Sequence, residues 1–209
     1  MRILIILSSH EMDSKSIPNI VILNDYMKQL GHTFDYAGIS STDDFINYEH
    51  IIQFKYKMIN PKHQFSKICD FISTHDLNYD WYVKIRPDVK LLDTLHFNTY
   101  SETAINARAR MYIGPKKIKY GASIGGEGGY KDIDGIIYSP EEELVILDDM
   151  VYIFHNNVII NEAFAIFQTN ERENEDFHTK VWKSRDIELN VIGINMDFTR
   201  YSTGMSGEI

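Results

Sequence analysis

Five branched apolar residues stand in a row near the start of the chain, Ile3-Leu4-Ile5-Ile6-Leu7. A strand with one wet face alternates apolar and polar residues. A short unbroken run suits a strand covered on both faces. Helices that cross between parallel strands provide such cover. The run therefore predicts an interior strand of an α/β sheet. Ser16 then precedes Pro18, and Ile20, Leu23, Met27 and Leu30 recur at helical spacing until Gly31. Thr33 to Ile39 reads as a second strand. Ser41-Thr42-Asp43-Asp44 carries the hydroxyls and acids of a helix start, which predicts a helix ending before Asn60-Pro61. Another helix is expected from Lys62 to about Thr74, with Phe65, Ile68, Phe71 and Ile72 on one face. Trp81 to Val89 is the next strand, and Pro87-Asp88 marks its end. The order β-α-β-α-α-β predicts a mainly parallel sheet flanked by helices.

The second half is less regular. Ile105 to Ile113 reads as extended, and Gly121 to Gly129 holds five glycines, a loop composition. Leu144–Leu147 and Val151–Phe154 read as short strands flanking Asp148-Asp149. Ala163–Phe167 and Phe177–Trp182 read as helical, and Ile187–Ile194 as a late strand. With 209 residues and no repeat or linker, one domain is expected, its two halves dividing near residue 95.

Charge narrows the function classes. The net charge is −9, which argues against binding nucleic acid or an anionic membrane through the overall field. From Lys84 to Lys119, however, eight basic residues face three acidic ones, a local +5. That window is either a solvated basic face or a receptor for a small anion such as phosphate. From Asp132 to Asp176, twelve acids stand against the single base Arg172. One cysteine, Cys69, excludes an internal disulfide and points to a reducing compartment. The opening apolar run is too short for a signal peptide, and nothing approaches a membrane span. A cytoplasmic location is expected.

Two segments carry chemistry. In Asp80-Trp81-Tyr82-Val83-Lys84-Ile85-Arg86-Pro87-Asp88 a strand delivers Asp88 at its carboxyl end, where open α/β sheets bind ligands. A carboxylate there is a hard oxygen ligand for Mn²⁺ or Mg²⁺, and Arg86 on the same strand face can neutralise phosphate. The alternative is an Arg–Asp pair that only caps the strand. In the second segment, Asp148-Asp149 sits between apolar stretches, which places the acids at a cleft rim or in a turn. One of them is a candidate general base. His155 is either a metal ligand, a phosphate contact or a structural histidine. The glycine loop lacks the Lys-Ser/Thr of a P-loop and the position of a dinucleotide turn. It reads as a flexible surface loop, a lid or an acceptor-site loop.

These segments, with the opening strand Arg2–Ser9 and Ile105-Asn106-Ala107-Arg108-Ala109-Arg110, resemble nucleotide-sugar glycosyltransferases of GT-A type. The resemblance runs essentially end to end. More closely, the chain looks like the N-terminal glycosyltransferase domain of a chlorella-virus protein that helps glycosylate a major capsid protein. The resemblance implies a GT-A, Rossmann-like single domain, with a donor half over about 1–95 and an acceptor half over about 96–209. It implies a UDP-sugar donor carrying rhamnose or glucose, Mn²⁺ or Mg²⁺, and a hydroxyl of a glycan as acceptor, on a viral capsid glycoprotein. It places the nucleoside against Ser8, Ser9, His10 and Ser40, and the metal at Asp88. The donor diphosphate falls to Arg86 and the Lys116–Lys119 run, with Lys117 as the contact. Asp149 or Asp148 lies beside the acceptor hydroxyl, and His155 is a second metal candidate. The family's paired acids, D-x-D, read Arg86-Pro87-Asp88 here, so only the last acid is present and the strength of metal dependence stays open. The ending Ser206-Gly207-Glu208-Ile209 suits a domain of a longer protein. Two other classes compete: a non-catalytic nucleotide-sugar or glycan-binding module, and a sugar-nucleotide nucleotidyltransferase. The second needs a basic, Gly-rich loop after the first strand, which Ser8-Ser9-His10-Glu11-Met12-Asp13 does not supply.

Overall fold

The computed structural model describes residues 1–62, 64–114, 117–120, 130–132, 144–147, 149–159, 182 and 186–198. The apolar opening run is β1 (Arg2–Ser8), and helix α1 (Ile17–Gln29) follows it. Pro18 lies in the first turn of α1, and Gly31 takes a left-handed φ of 67° just past its end. The chain continues through β2 (Thr33–Ser40), β3 (Phe54–Ile59), α2 (Gln64–Thr74) and β4 (Trp81–Ile85). Then come β5 (Val89–Leu91), β6 (Ala104–Ala107), β7 (Ala109–Gly114), β8 (Lys117–Tyr120) and β9 (Tyr130–Asp132). The remaining described elements are β10 (Leu144–Leu147), β11 (Val151–His155), the single turn α3 (Asn156–Ile159), β12 (Glu188–Val191) and β13 (Met196–Phe198).

Seven of these strands form one sheet in the order β12-β6-β11-β4-β1-β2-β3. All run parallel except β11, which is antiparallel to both β4 and β6. Side chains of β1 divide as a doubly covered strand requires. Ile3, Ile5 and Leu7 join Ile20, Leu23 and Met27 of α1 in one core, whereas Leu4 and Ile6 join Ile68 and Phe71 of α2 in the other. The same alternation carries across the sheet: Trp81, Val83, Ile85, Val151 and Ile153 lie in the first core, Tyr82, Tyr152 and Phe154 in the second. Both layers form because residues on either side of each pleat are apolar.

A second, antiparallel sheet has the order β10-β7-β8-β9, and β5 pairs with β13 in a two-stranded ribbon. The chain leaves the main sheet between β6 and β7 and re-enters it between β10 and β11. Asp149 and Met150 stand at that re-entry.

One sequence expectation fails outright. Residues 41–60 do not form a helix. They hold a single 3-10 turn, Phe45–Asn47, and then β3, parallel to β2. The start signal was local, but the carboxylate of Asp44 is used at long range, accepting hydrogen bonds from the backbone N–H of Met12 at 2.6 Å and the hydroxyl of Thr42 at 2.9 Å. Phe54-Lys55-Tyr56-Lys57-Met58 alternates with period two, which is a strand pattern. Packing agrees: a Cβ on Gly38 of β2 would lie 2.8 Å from the Phe45 ring and 2.9 Å from the Phe54 ring. The bare glycine lets that aromatic pair close over β2. The order is thus β-α-β-β-α-β. The strand expected over 81–89 also divides: β4 ends at Ile85, and a turn closed by Val89 N–H donating to Arg86 O at 3.1 Å leads into β5. Residues 121–129, 163–167 and 177–181, read above as a loop and two helices, lie outside the described residues.

Candidate active site

The carboxyl ends of β1, β2, β3 and β4 point to one edge of the sheet, and antiparallel β11 begins at that same edge. Two clusters of polar residues sit there.

The first is built on β1 and β2. Ser8 and Ser40 are buried, Ser9 is half-buried and His10 is exposed. Backbone bonds lash the two strand ends together: Ser9 N–H donates to Ile39 O at 3.1 Å and Ser41 N–H to His10 O at 3.0 Å. The Ser40 hydroxyl also donates to His10 O, at 3.1 Å, and Asn60 N–H donates to Ser40 O at 2.8 Å. Ser8 Oγ is buried with no hydrogen-bond partner among the described residues. The four residues expected at the nucleoside end are therefore neighbours.

Lys67 is the residue that sequence reasoning missed here. It is fully buried on α2, and its ammonium donates to Ser9 O at 2.9 Å and to Ser41 Oγ at 3.1 Å. Its signal was its place: one turn before Phe71, on the apolar stripe, where an unpaired lysine is costly. Burial lowers its pKa from 10.5 to about 8. In the unfolded chain the group keeps its ordinary value, so between pH 8 and 10.5 the unfolded state holds more protons. The contribution of Lys67 to stability must rise with pH across that window. We expect the unfolding free energy, from urea titrations, to climb relative to Lys67→Met by roughly 2–3 kcal/mol over that interval. Parallel pH profiles for the two proteins would show that Lys67 does not titrate there.

The second cluster joins the end of β4 to the start of β11. Pairing of Ile85 with Val151 sets Arg86 beside Met150, and Arg86 N–H donates to Met150 O at 3.1 Å. The Arg86 guanidinium grips Asp88 with two bonds, Nε to Oδ1 at 3.0 Å and Nη2 to Oδ2 at 2.6 Å. Its Nη1 lies 3.7 Å from Asp149 Oδ2. All three side chains keep some exposure: 28% for Arg86, 20% for Asp88 and 19% for Asp149. Asp149 Oδ1 is buried with no hydrogen-bond partner among the described residues. Beneath them Lys84 is almost fully buried, donates to the backbone oxygen of Asp149, and lies over the Tyr152 ring at 5.2 Å. Lys84 interrupts an otherwise apolar strand, a signal that charge counting registered without assigning it a place.

Not every expected residue arrives. His155 pairs with Trp81, at the far end of β4, and its ring meets the Trp81 ring edge-on at 5.0 Å. Its Nδ1 accepts the Asn157 N–H at 3.2 Å. Because β11 runs antiparallel, residues after Asp149 travel away from the site, and His155 sits at the opposite edge of the sheet. Asp148 lies outside the described residues. Lys117 is in β8, within the second sheet, and only its backbone is described.

The donor set suits a hard divalent ion. Such ions commonly take one or two carboxylates and complete their shell with substrate phosphate oxygens. Asp88 offers that oxygen chemistry, and Asp149, whose Oδ2 lies 3.7 Å from the same guanidinium, offers a second carboxylate. Among the described residues, no group of three or more His, Cys, Asp or Glu side chains is placed to hold a metal ion.

No protein-family model matches this chain, and no curated protein matches it. Solved structures do. One is a Drosophila β-1,4-galactosyltransferase 7 mutant in complex with manganese, UDP-galactose and xylobiose. The TM-score is 0.54 at 8% identity; the match covers 91% of this chain and 64% of that one. At that identity the likeness is one of fold. No helix among the described residues is long and apolar enough to cross a membrane. The chain has a GT-A, Rossmann-like α/β fold with a mostly parallel seven-stranded sheet.

Proposed function

We propose that the chain is a glycosyltransferase that moves a sugar from a UDP-sugar to a hydroxyl of a glycan. The observation that carries this reading is the meeting of Arg86, Asp88 and Asp149 at the carboxyl edge of the central strands, beside the Ser8–His10 turn. A site of that composition can hold a diphosphate and keep one carboxylate for proton transfer.

In this proposal residues of about 1–95 hold the donor and those of about 96–209 face the acceptor. Ser8, Ser9, His10 and Ser40 receive the nucleoside, positioned through Lys67. Arg86 and Lys117 meet the diphosphate. Asp88 would hold Mn²⁺ or Mg²⁺, which when bound supplies positive charge to the leaving diphosphate. Asp149, with Asp148 as its neighbour, takes the proton of the acceptor hydroxyl. The acceptor oxygen then forms a bond to the anomeric carbon, the bond from that carbon to the diphosphate oxygen breaks, and its electron pair leaves with UDP. Arg86 stabilises that developing charge, and the carboxylates face the cationic character of the sugar. Lys84 fixes the backbone of Asp149, so the base is oriented from below. The resemblance of the sequence to capsid-modifying viral enzymes supports rhamnose or glucose as the sugar, a viral capsid glycoprotein as the acceptor and the cytoplasm of an infected cell as the location.

A panel of UDP- and GDP-sugars with Mn²⁺ tests the reading. At a hundredfold excess over Kd, the correct donor should raise the melting temperature by roughly 5–10 °C. The same donor should be hydrolysed slowly without acceptor. Stabilisation by a UDP-sugar without hydrolysis or transfer would make the chain a binding module. No response to any UDP-sugar would sink the proposal.

A further inference from the structure

The cation nearest the acids of this site is built into the chain. Arg86 occupies the position that an aspartate takes in the paired-acid motif, and its guanidinium already fills both oxygens of Asp88. A guanidinium does not lose its proton at accessible pH, so this occupation is permanent until a better partner arrives. Among the described residues, Lys84 and Arg86 also offset the charges of Asp88 and Asp149. A divalent ion approaching the site without its substrate therefore finds both oxygens of Asp88 already bonded to a cation that repels it.

The backbone of the turn cannot be what changes. Arg86 N–H is bonded to Met150 O, Val89 N–H to Arg86 O, and the Asn19 side-chain amide to Pro87 O at 3.2 Å. What can move is the partly exposed Arg86 side chain. A diphosphate is its natural alternative partner, offering planar pairs of oxygens and more negative charge than one carboxylate.

We propose that Arg86 is a resident counter-cation that bars divalent ions from Asp88 until a donor diphosphate draws the guanidinium away. Metal and donor then bind as one coupled event, and neither binds well alone. The proposal rests on the glycosyltransferase reading for the identity of the diphosphate. The competition between Arg86 and metal needs no nucleotide and can fail or hold separately.

The test is calorimetry of Mn²⁺ with the wild-type chain and with Arg86→Gln, each with and without UDP, after circular dichroism has shown both to be folded. In wild type, UDP should tighten Mn²⁺ binding by about tenfold or more, and Mn²⁺ should tighten UDP binding by the same factor. Without UDP, Arg86→Gln should bind Mn²⁺ about tenfold more tightly than wild type, and the remaining coupling should shrink. Asp88→Ala in the Arg86→Gln background should abolish that gain. A folded Arg86→Gln protein that binds Mn²⁺ no better than wild type in the absence of nucleotide overturns the proposal. Tight Mn²⁺ binding by Arg86→Gln with no response of either protein to UDP would keep the competition and refute the nucleotide reading instead.

Discussion

Asp149→Asn should lower transfer by about a thousandfold while leaving donor affinity within a few-fold of wild type. The amide keeps the shape of the carboxylate and cannot take a proton. Its position relative to Arg86 is set by the backbone, through Arg86 N–H on Met150 O and Lys84 on Asp149 O, neither of which the substitution touches. Loss should therefore appear in kcat rather than KM. Single-turnover transfer with saturating donor, set beside calorimetry with UDP, separates the two. Full activity in Asp149→Asn would move the base elsewhere, with Asp148 the next residue to change. Equal loss of binding and turnover would make Asp149 a donor ligand.

The largest loss of stability is expected at Asn106, which belongs to neither polar cluster. This buried amide is the pin of the sheet's far half. Its Oδ1 accepts from Ser101 N–H at 2.8 Å and from the Asn190 amide at 2.7 Å. Its Nδ2 donates to Ser101 O, Ala104 O and Ile153 O at 2.8–3.1 Å. These partners belong to β6, β11, β12 and the segment leading into β6, and Ile153↔Asn106 is the one described register pair between β11 and β6. Asn106→Leu fills similar space but takes away the partner of five polar groups, of which the Ala104 and Ile153 carbonyls are buried. The cost should be about 3–5 kcal/mol, or a fall in melting temperature of roughly 10 °C. A shift of only a degree or two in a thermal melt would show that water or a local rearrangement restores those bonds. Donor affinity, measured below the transition, should survive, because Asn106 touches neither polar cluster.

Much of this architecture was legible because it depends on local pattern. The doubly buried Ile3–Leu7 run, the Pro18–Gly31 helix and the strand that starts at Trp81 each carry their own signal. So does the acidic site in part. Strand ends of a parallel sheet gather at one edge, which brings Arg86 and Asp88 to the edge where open α/β sheets in general bind ligands, and Asp149 joins them through the β4–β11 pairing. Direction was not legible. His155 looked like a companion of Asp149 because six residues separate them in sequence, but along an antiparallel strand that spacing spans about 20 Å. The misread helix over 41–60 has a similar cause. Its start signal is real chemistry, a hydroxyl and carboxylate seeking N–H donors, and Asp44 finds its donor at Met12, beyond the reach of local pattern. Lys67 was hidden for the opposite reason. A helix pattern is judged by its apolar positions, and a lysine standing among them is discounted unless one asks where its charge goes.

The late arrival of β11 has a consequence for how the chain is made. During synthesis the strands β3-β2-β1-β4 emerge first, and β4 is then an edge strand with open N–H and C=O groups. Its partner β11 ends about 70 residues later, roughly 4–14 s at ribosomal speed. For that interval Trp81, Tyr82, Val83 and Ile85 line an apolar ribbon able to recruit a neighbouring nascent chain. Lys84 stands in the middle of it. A charge on an exposed edge discourages a second strand from docking there, and only the chain's own β11 brings the Asp149 carbonyl and the Tyr152 ring that accommodate the ammonium. The residue that holds the backbone of Asp149 in the folded protein thus also puts a charge on the unfinished edge, and replacing it with methionine should be felt first as insoluble protein during expression.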